Sequence, residues 1–294
     1  MDRPPVIIEA AINGTRTKDF NPHVPITKEE IANDALSVLA AGASIVHHHI
    51  SVFGEPQKVA DEYEAIWDLV LAERPDALLY PTANIVNGQL DFTHLHLLAR
   101  SGKMKVTFSD PGSVNLGGLD AEGLPVGGYV YQNSFDSVRA QFQQCSDDRV
   151  GPSLAIYEPG FLRAAIAYWR AGKLPAGTMA KFYLANDVGY LGAPFGLPPT
   201  KAALQVYIDM IADTQIPWAV SVVGGDPVET GLARYAIERG GHMHIGLEFF
   251  GGARQPTNTE LTNEAVALCA QMGVEVATTH QAAAILQLPR LDEM

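Results

Sequence analysis

Cysteine is almost missing from this chain: two residues in 294, Cys145 and Cys269, far apart and in no CxxC pair. That excludes a disulfide framework and fits a reducing compartment. Positive charge is scarce as well. Twenty Lys and Arg face 33 Asp and Glu, giving a net charge of −13. No basic run or Arg-rich amphipathic helix occurs, which argues against a nucleic-acid partner, since backbone binding rests on clustered Lys and Arg. No apolar stretch approaches a membrane span, and the start, "MDRPPVIIEA", does not read as a cleavable signal peptide. The expectation is a soluble, cytoplasmic protein. Low-complexity tracts, short repeats and linkers are absent too. So is a dinucleotide fingerprint: the segment after the first apolar run, "EAAINGTRT", is not GxGxxG.

What remains is an alternation. Hydrophobic residues make up 47% of the chain, enough to bury a large core. Short β-like runs at 6–11, 44–50, 77–83, 105–108, 153–158, 180–185, 217–223 and 242–248 alternate with amphipathic helices. The first helix opens with a capping box, Thr27 with Glu30, and stops at Gly42. Eight strand–helix units predict parallel pairing with right-handed crossovers, and eight is the number that closes a (β/α)8 TIM barrel. The spacing predicts one domain over 1–294, ending in a short helical cap, "TTHQAAAILQL". A doubly wound open sheet is the runner-up. Two long Gly-rich connections, 109–133 and the loop beginning "NDVGYLGAPFG", are read as functional loops.

The second strand ends "SIVHHHI". Strand side chains alternate faces, so His47 and His49 share one face, about 7 Å apart along the strand, and His48 takes the other. At the C-terminal mouth of a barrel such a pair can converge on one metal; the alternative is a pair of hydrogen-bonded core histidines. In "HMHIGLEFF" the apolar set Met243, Ile245, Leu247 and Phe249 must face the helices. His242, His244, Gly246 and Glu248 then point into the barrel. Glu248 is either a third ligand or one half of a salt bridge to Arg or Lys. Two His and one carboxylate match catalytic zinc, and iron(II) on ligand type alone. His94 and His96 diverge on a helix, and His23 and His280 read as loop or cap residues.

Five segments, "EAAINGTRTKDFNPHVPITKEEIANDA", "AGASIVHHH", "DPGSVNLG", "IYEPGFL" and "GGHMHIGLE", resemble the β-keto acid cleavage enzymes in order and spacing, over nearly the whole chain. The resemblance implies a (β/α)8 barrel that binds Zn2+ through His47, His49 and Glu248. It implies an acyltransferase that condenses a β-keto acid with acetyl-CoA, giving acetoacetate and a new acyl-CoA, and a homo-oligomer (dimer or tetramer). The pattern departs where relatives carry Arg and Asp beside the glutamate: here stand His244 and Phe249. Phe249 cannot accept a proton. Catalytic candidates are therefore Glu9, whose strand face should reach the mouth, Glu158 at the end of the fifth strand, and His244; for the two glutamates the alternative is a helix cap or loop salt bridge. Asn13, Thr82 and Asp110 are candidate substrate contacts. Gly224 and Gly225, in "VGGDP", are expected to offer free N–H groups to a phosphate or carboxylate; the alternative is a plain turn capped by Asp226. Tyr80, Tyr157, Tyr183 and Phe195 suggest aromatic pocket walls. Rival classes are an amidohydrolase-type hydrolase, a metal-dependent C–C lyase without CoA, and a non-catalytic binder.

Overall fold

A computed structural model describes residues 4–186 and 195–289. The chain runs β1 (Ile8–Ala11), α1 (Lys28–Ala41), β2 (Ile45–His47), α2 (Pro56–Glu73), β3 (Leu78–Tyr80), β4 (Asn84–Val86), β5 (Gln89–Asp91), α3 (Thr93–Arg100), β6 (Val106–Phe108), β7 (Val114–Leu119) and β8 (Pro125–Tyr131). It continues through α4 (Phe135–Asp148), β9 (Gly151–Ile156), α5 (Pro159–Arg170), β10 (Met179–Ala185), α6 (Lys201–Ile211), β11 (Trp218–Val223), α7 (Leu232–Ile237), β12 (His242–Ile245), α8 (Asn258–Gln271) and α9 (Thr279–Leu286).

Eight of these strands form one parallel sheet in the order β3-β2-β1-β12-β11-β10-β9-β6. Its two edges, β3 and β6, lie side by side without a hydrogen-bonded ladder. The result is a nearly closed (β/α)8 barrel. The first helix is capped as its sequence requires: Thr27 accepts from the Glu30 amide, and Glu30 accepts from the Thr27 amide. The interior is filled at the strand N-termini by Ile7, Ile45, Leu78, Val106, Met179 and Ala219. Helix α9 packs Ala282, Ala283 and Leu286 against that layer, sealing the end opposite the mouth. Cys145 and Cys269 are buried thiols. Among the described residues no helix is long and apolar enough to cross a membrane.

The connection at 109–133 is not a loop: most of it forms the antiparallel hairpin β7–β8. Glycines at 117, 118, 127 and 128 conceal the alternation that marks a strand, and two of them, Gly117 and Gly127, sit where the strands approach closely. A Cβ on Gly117 would stand 2.2 Å from the Val126 carbonyl oxygen. A second small hairpin, β4–β5, follows the third barrel strand. The helix expected at 227–239 begins only at Leu232, and the eighth strand stops at Ile245.

Candidate metal centre and the cavity above it

His47 closes β2 and His49 follows two residues on. Pairing sets their height: Ala11, His47 and Tyr80 are in register on neighbouring strands, one layer above Glu9, Ile45 and Leu78. Glu248 lies beyond the end of β12, in a turn that begins at Gly246. There the chain folds back over β1, with the Glu248 amide donating to the Ala11 carbonyl at 3.1 Å. Gly246 has φ +122, and a Cβ on it would sit 2.2 Å from the same carbonyl oxygen. Gly246→Ala should therefore cost at least about 2 kcal/mol and displace Glu248. Thermal unfolding together with metal content checks this; wild-type values for both would contradict it. Arg16 holds the turn from outside by donating to the Glu248 and Phe250 carbonyls.

The three side chains converge. Glu248 Oε1 is 3.2 Å from His49 Nε2, and Oε2 is 3.4 Å from His47 Nε2. One ligand atom from each of the three can be chosen within 4.8 Å of the others. His47 Nδ1 lies 3.2 Å from the Tyr80 carbonyl. Donating there fixes the tautomer and leaves Nε2 as a lone pair facing Glu248. Burial and the neighbouring His49 hold His47 well below the usual imidazole range, in the neutral form a ligand needs. Glu248 Oε2 is buried with no hydrogen-bond partner. Two imidazoles around a buried carboxylate with an orphaned oxygen fit a divalent cation.

His48 takes the opposite face. Trp67 Nε1 donates to His48 Nε2 at 2.8 Å, and burial pushes the imidazole down to about 4. His48→Gln should keep one metal per chain at a cost of about 1–3 kcal/mol in stability. Loss of metal equal to that in His47→Gln would place the strand out of register by one residue.

Above the metal ligands opens a cavity of about 240 Å³. Tyr80, Tyr157 and Tyr183 stand in its wall; Phe195 is not in the wall and packs edge-on against Tyr157, ring centres 5.2 Å apart. Residues 187–194 of the loop after β10 lie outside the described residues. Thr82 and Asp110 also line the cavity. The Asp110 carboxylate accepts from the Ala155 amide and the Tyr131 hydroxyl, each at 2.8 Å. Burial pushes Asp110 up to about 6, against the pull of those two donors.

Other expected site residues are placed differently. Glu9 is wholly buried, one layer below the ligands, and is absent from the cavity wall. It accepts from the Tyr80 hydroxyl, from Lys181 Nζ at 3.0 Å and from Ser153 Oγ at 3.2 Å. His244 Nε2 is 3.4 Å from Glu9, its Nδ1 meets Ser221 Oγ at 3.0 Å, and burial holds it well below the usual imidazole range. Glu158 accepts from the Gly196 amide at 2.8 Å and lies outside the wall. Asn13 clamps the His49 backbone, accepting from its amide at 2.8 Å and donating to its carbonyl. Gly224 and Gly225 offer no free N–H: their amides donate to the Phe249 and Val222 carbonyls, and Asp226 caps the following turn through the Val228 amide. The anion cradle expected there is a plain βα turn.

Lys181 is the residue the sequence reading passed over. In "AKFYLA" it shares a strand face with Met179 and Tyr183, so the alternation that turned Glu9 inward turns Lys181 inward too.

A nearly closed (β/α)8 barrel with a His-His-Glu cluster at its mouth that could hold a metal, and a cavity over that cluster, has the architecture of a barrel enzyme. The model of the beta-keto acid cleavage enzyme family matches residues 5–288, and the chain belongs to that family. It is 27% identical over 291 residues to the 3-keto-5-aminohexanoate cleavage enzyme of Fusobacterium nucleatum, covering 97% of this chain and 98% of that one. It is 26% identical to the 3-oxoadipate:acetyl-CoA acetyltransferase of Cupriavidus necator, covering 98% and 96%. Among solved structures, ObcA in binary complex with oxaloacetate superposes with a TM-score of 0.67 at 17% identity, over 91% of this chain and 68% of ObcA. The homocysteine methyltransferase MmuM from Escherichia coli gives 0.52 at 13%, over 90% and 96%. These two likenesses concern the fold alone.

Proposed function

We propose that the protein is a zinc-dependent β-keto acid:acetyl-CoA acyltransferase. A β-keto acid R–CO–CH2–COO⁻ and acetyl-CoA exchange acyl groups, yielding acetoacetate and R–CO–SCoA. The observation that carries this is the His47, His49 and Glu248 cluster facing a cavity in a chain of this family. The names of two relatives, acting on a keto acid or with acetyl-CoA, support the substrates.

A zinc ion held by these three residues would supply Lewis acidity to the ketone and carboxylate oxygens. The chain's own groups do the rest. The reaction needs a base that takes a proton from the carbon between the two carbonyls and returns it to acetoacetate. With Phe249 in the wall and Glu248 in the metal cluster, Asp110 is the further carboxylate in the cavity lining, and its affinity for protons is tuned towards neutrality. Glu9, bound by Tyr80, Lys181 and Ser153, positions those groups rather than meeting substrate. Thr82 and the tyrosine walls orient the acyl chain and exclude water.

The test is turnover of the metal-loaded protein with acetyl-CoA and a panel of β-keto acids, reading new acyl-CoA by mass. A new thioester is expected from at least one acid. Cleavage of a keto acid without CoA would instead favour the lyase.

A further inference from the structure

Lys181 is a cation 3% exposed on a barrel strand, and a chain seldom buries one without use. Its ammonium has three N–H bonds. One reaches the Tyr80 hydroxyl at 2.7 Å and one reaches Glu9 Oε1 at 3.0 Å. Lys181 is itself part of the cavity wall, together with Tyr80, Asp110 and Glu248. Glu9 is not, so of the two partners it is the lysine that borders the cavity. Ser153 and His244 also contact Glu9, Ser153 from the cavity wall and His244 from the neighbouring strand. A purely structural role explains this poorly, since a buried ion pair is often no better than apolar residues of the same volume. It is also one-sided: the lysine borders the cavity and the glutamate does not.

We infer that Lys181 stabilises the negative charge that develops on the substrate when the carbon between its two carbonyls loses a proton, with Glu9 and Tyr80 as its positioning residues. The inference rests on the proposed function, because it needs that deprotonation to occur. A β-keto acid enters with one negative charge, on its carboxylate. Transfer of a proton from carbon to Asp110 neutralises the aspartate and leaves a second negative charge, delocalised onto the ketone oxygen. A fixed cation that needs no reorganisation at that moment lowers the barrier. It is worth less in the ground state, where only the carboxylate is charged.

The step can be isolated from acyl transfer. Zinc-loaded protein in D2O should exchange the C2 protons of acetoacetate, the product, without any CoA, faster than zinc alone; proton NMR reads the rate. Lys181→Met is expected to slow saturated exchange by about 10²–10³-fold. It should keep one zinc per chain and bind acetoacetate, measured by calorimetry, within about fivefold of wild type, as uniform binding is not what it removes. Lys181→Arg should recover part of the lost rate. Should Lys181→Met fail to fold because Glu9 is left unpaired, Glu9→Gln/Lys181→Met removes both charges and should fold with the same exchange defect. Wild-type exchange in whichever variant folds, with only a lowered Tm or only weaker acetoacetate binding, would overturn the inference and leave the proposed function standing. No exchange above zinc alone in the wild type would overturn the deprotonation step of the proposed function, and this inference with it.

Discussion

Purified His47→Gln, His49→Gln and Glu248→Gln proteins are expected to hold metal more than about 100-fold more weakly than the wild type, a loss that even an outer-sphere partner can produce. Acyl transfer should vanish with the metal. The three side chains supply every protein ligand the cluster offers, and the distances between Glu248 and the two Nε2 atoms leave room for one ion. A fold that survives is part of the expectation. Removing either imidazole relieves a crowded polar cluster and leaves the barrel ladder intact. Elemental analysis beside a thermal melt checks both halves. Chelation of the wild type should reproduce the defect, and zinc should restore activity to the wild type but not to the variants.

The second large effect concerns Asp110. Asp110→Asn should lower kcat by about 10²–10⁴-fold, the usual contribution of a positioned base, with metal content unchanged. The Asn side chain can still accept from the Ala155 amide or Tyr131, so the strand end keeps much of its support. The pH profile gives an independent reading. Burial raises the aspartate to about 6; the Ala155 and Tyr131 hydrogen bonds and Lys181 lower it, and Glu248 raises it. A base works only when ionised, so kcat/KM should climb with pH through about 6 and level off above it. The residual activity of Asp110→Asn should lack that limb. An unchanged acid limb in the variant would assign the proton to another group.

Much of this site was legible before any coordinates. Alternation of side chains on two strands sent His47, His49 and Glu248 inward and His48 outward, and all four lie as that argument requires. Glu248 does so for a reason alternation cannot see: the strand ends at Ile245, and the Gly246 turn carries the glutamate over β1. Where sequence reasoning failed, the cause was tertiary. Glu9 does point into the barrel, but Lys181, Tyr80 and Ser153 arrive from three other strands to cover it. The Gly224 and Gly225 amides look free on paper, yet the turn after β12 brings the Phe249 carbonyl to one of them. The β7–β8 hairpin hid behind four glycines, of which Gly117 and Gly127 sit at the close approach of its two strands. Lys181 could have been found by the alternation applied to Glu9; it was passed over because a lone lysine in an apolar run carries no motif.

The central claim is that this chain exchanges acyl groups between a β-keto acid and acetyl-CoA at the His47, His49 and Glu248 site. Its most direct test is an isotope experiment. Metal-loaded protein is given acetyl-CoA with both acetyl carbons labelled as ¹³C, together with an unlabelled β-keto acid it turns over. The account predicts acetoacetate labelled at C3 and C4 only, and an unlabelled new acyl-CoA in equal amount, both absent from the Glu248→Gln protein. Unlabelled acetoacetate, or keto acid consumed with the labelled acetyl-CoA left intact, would contradict it.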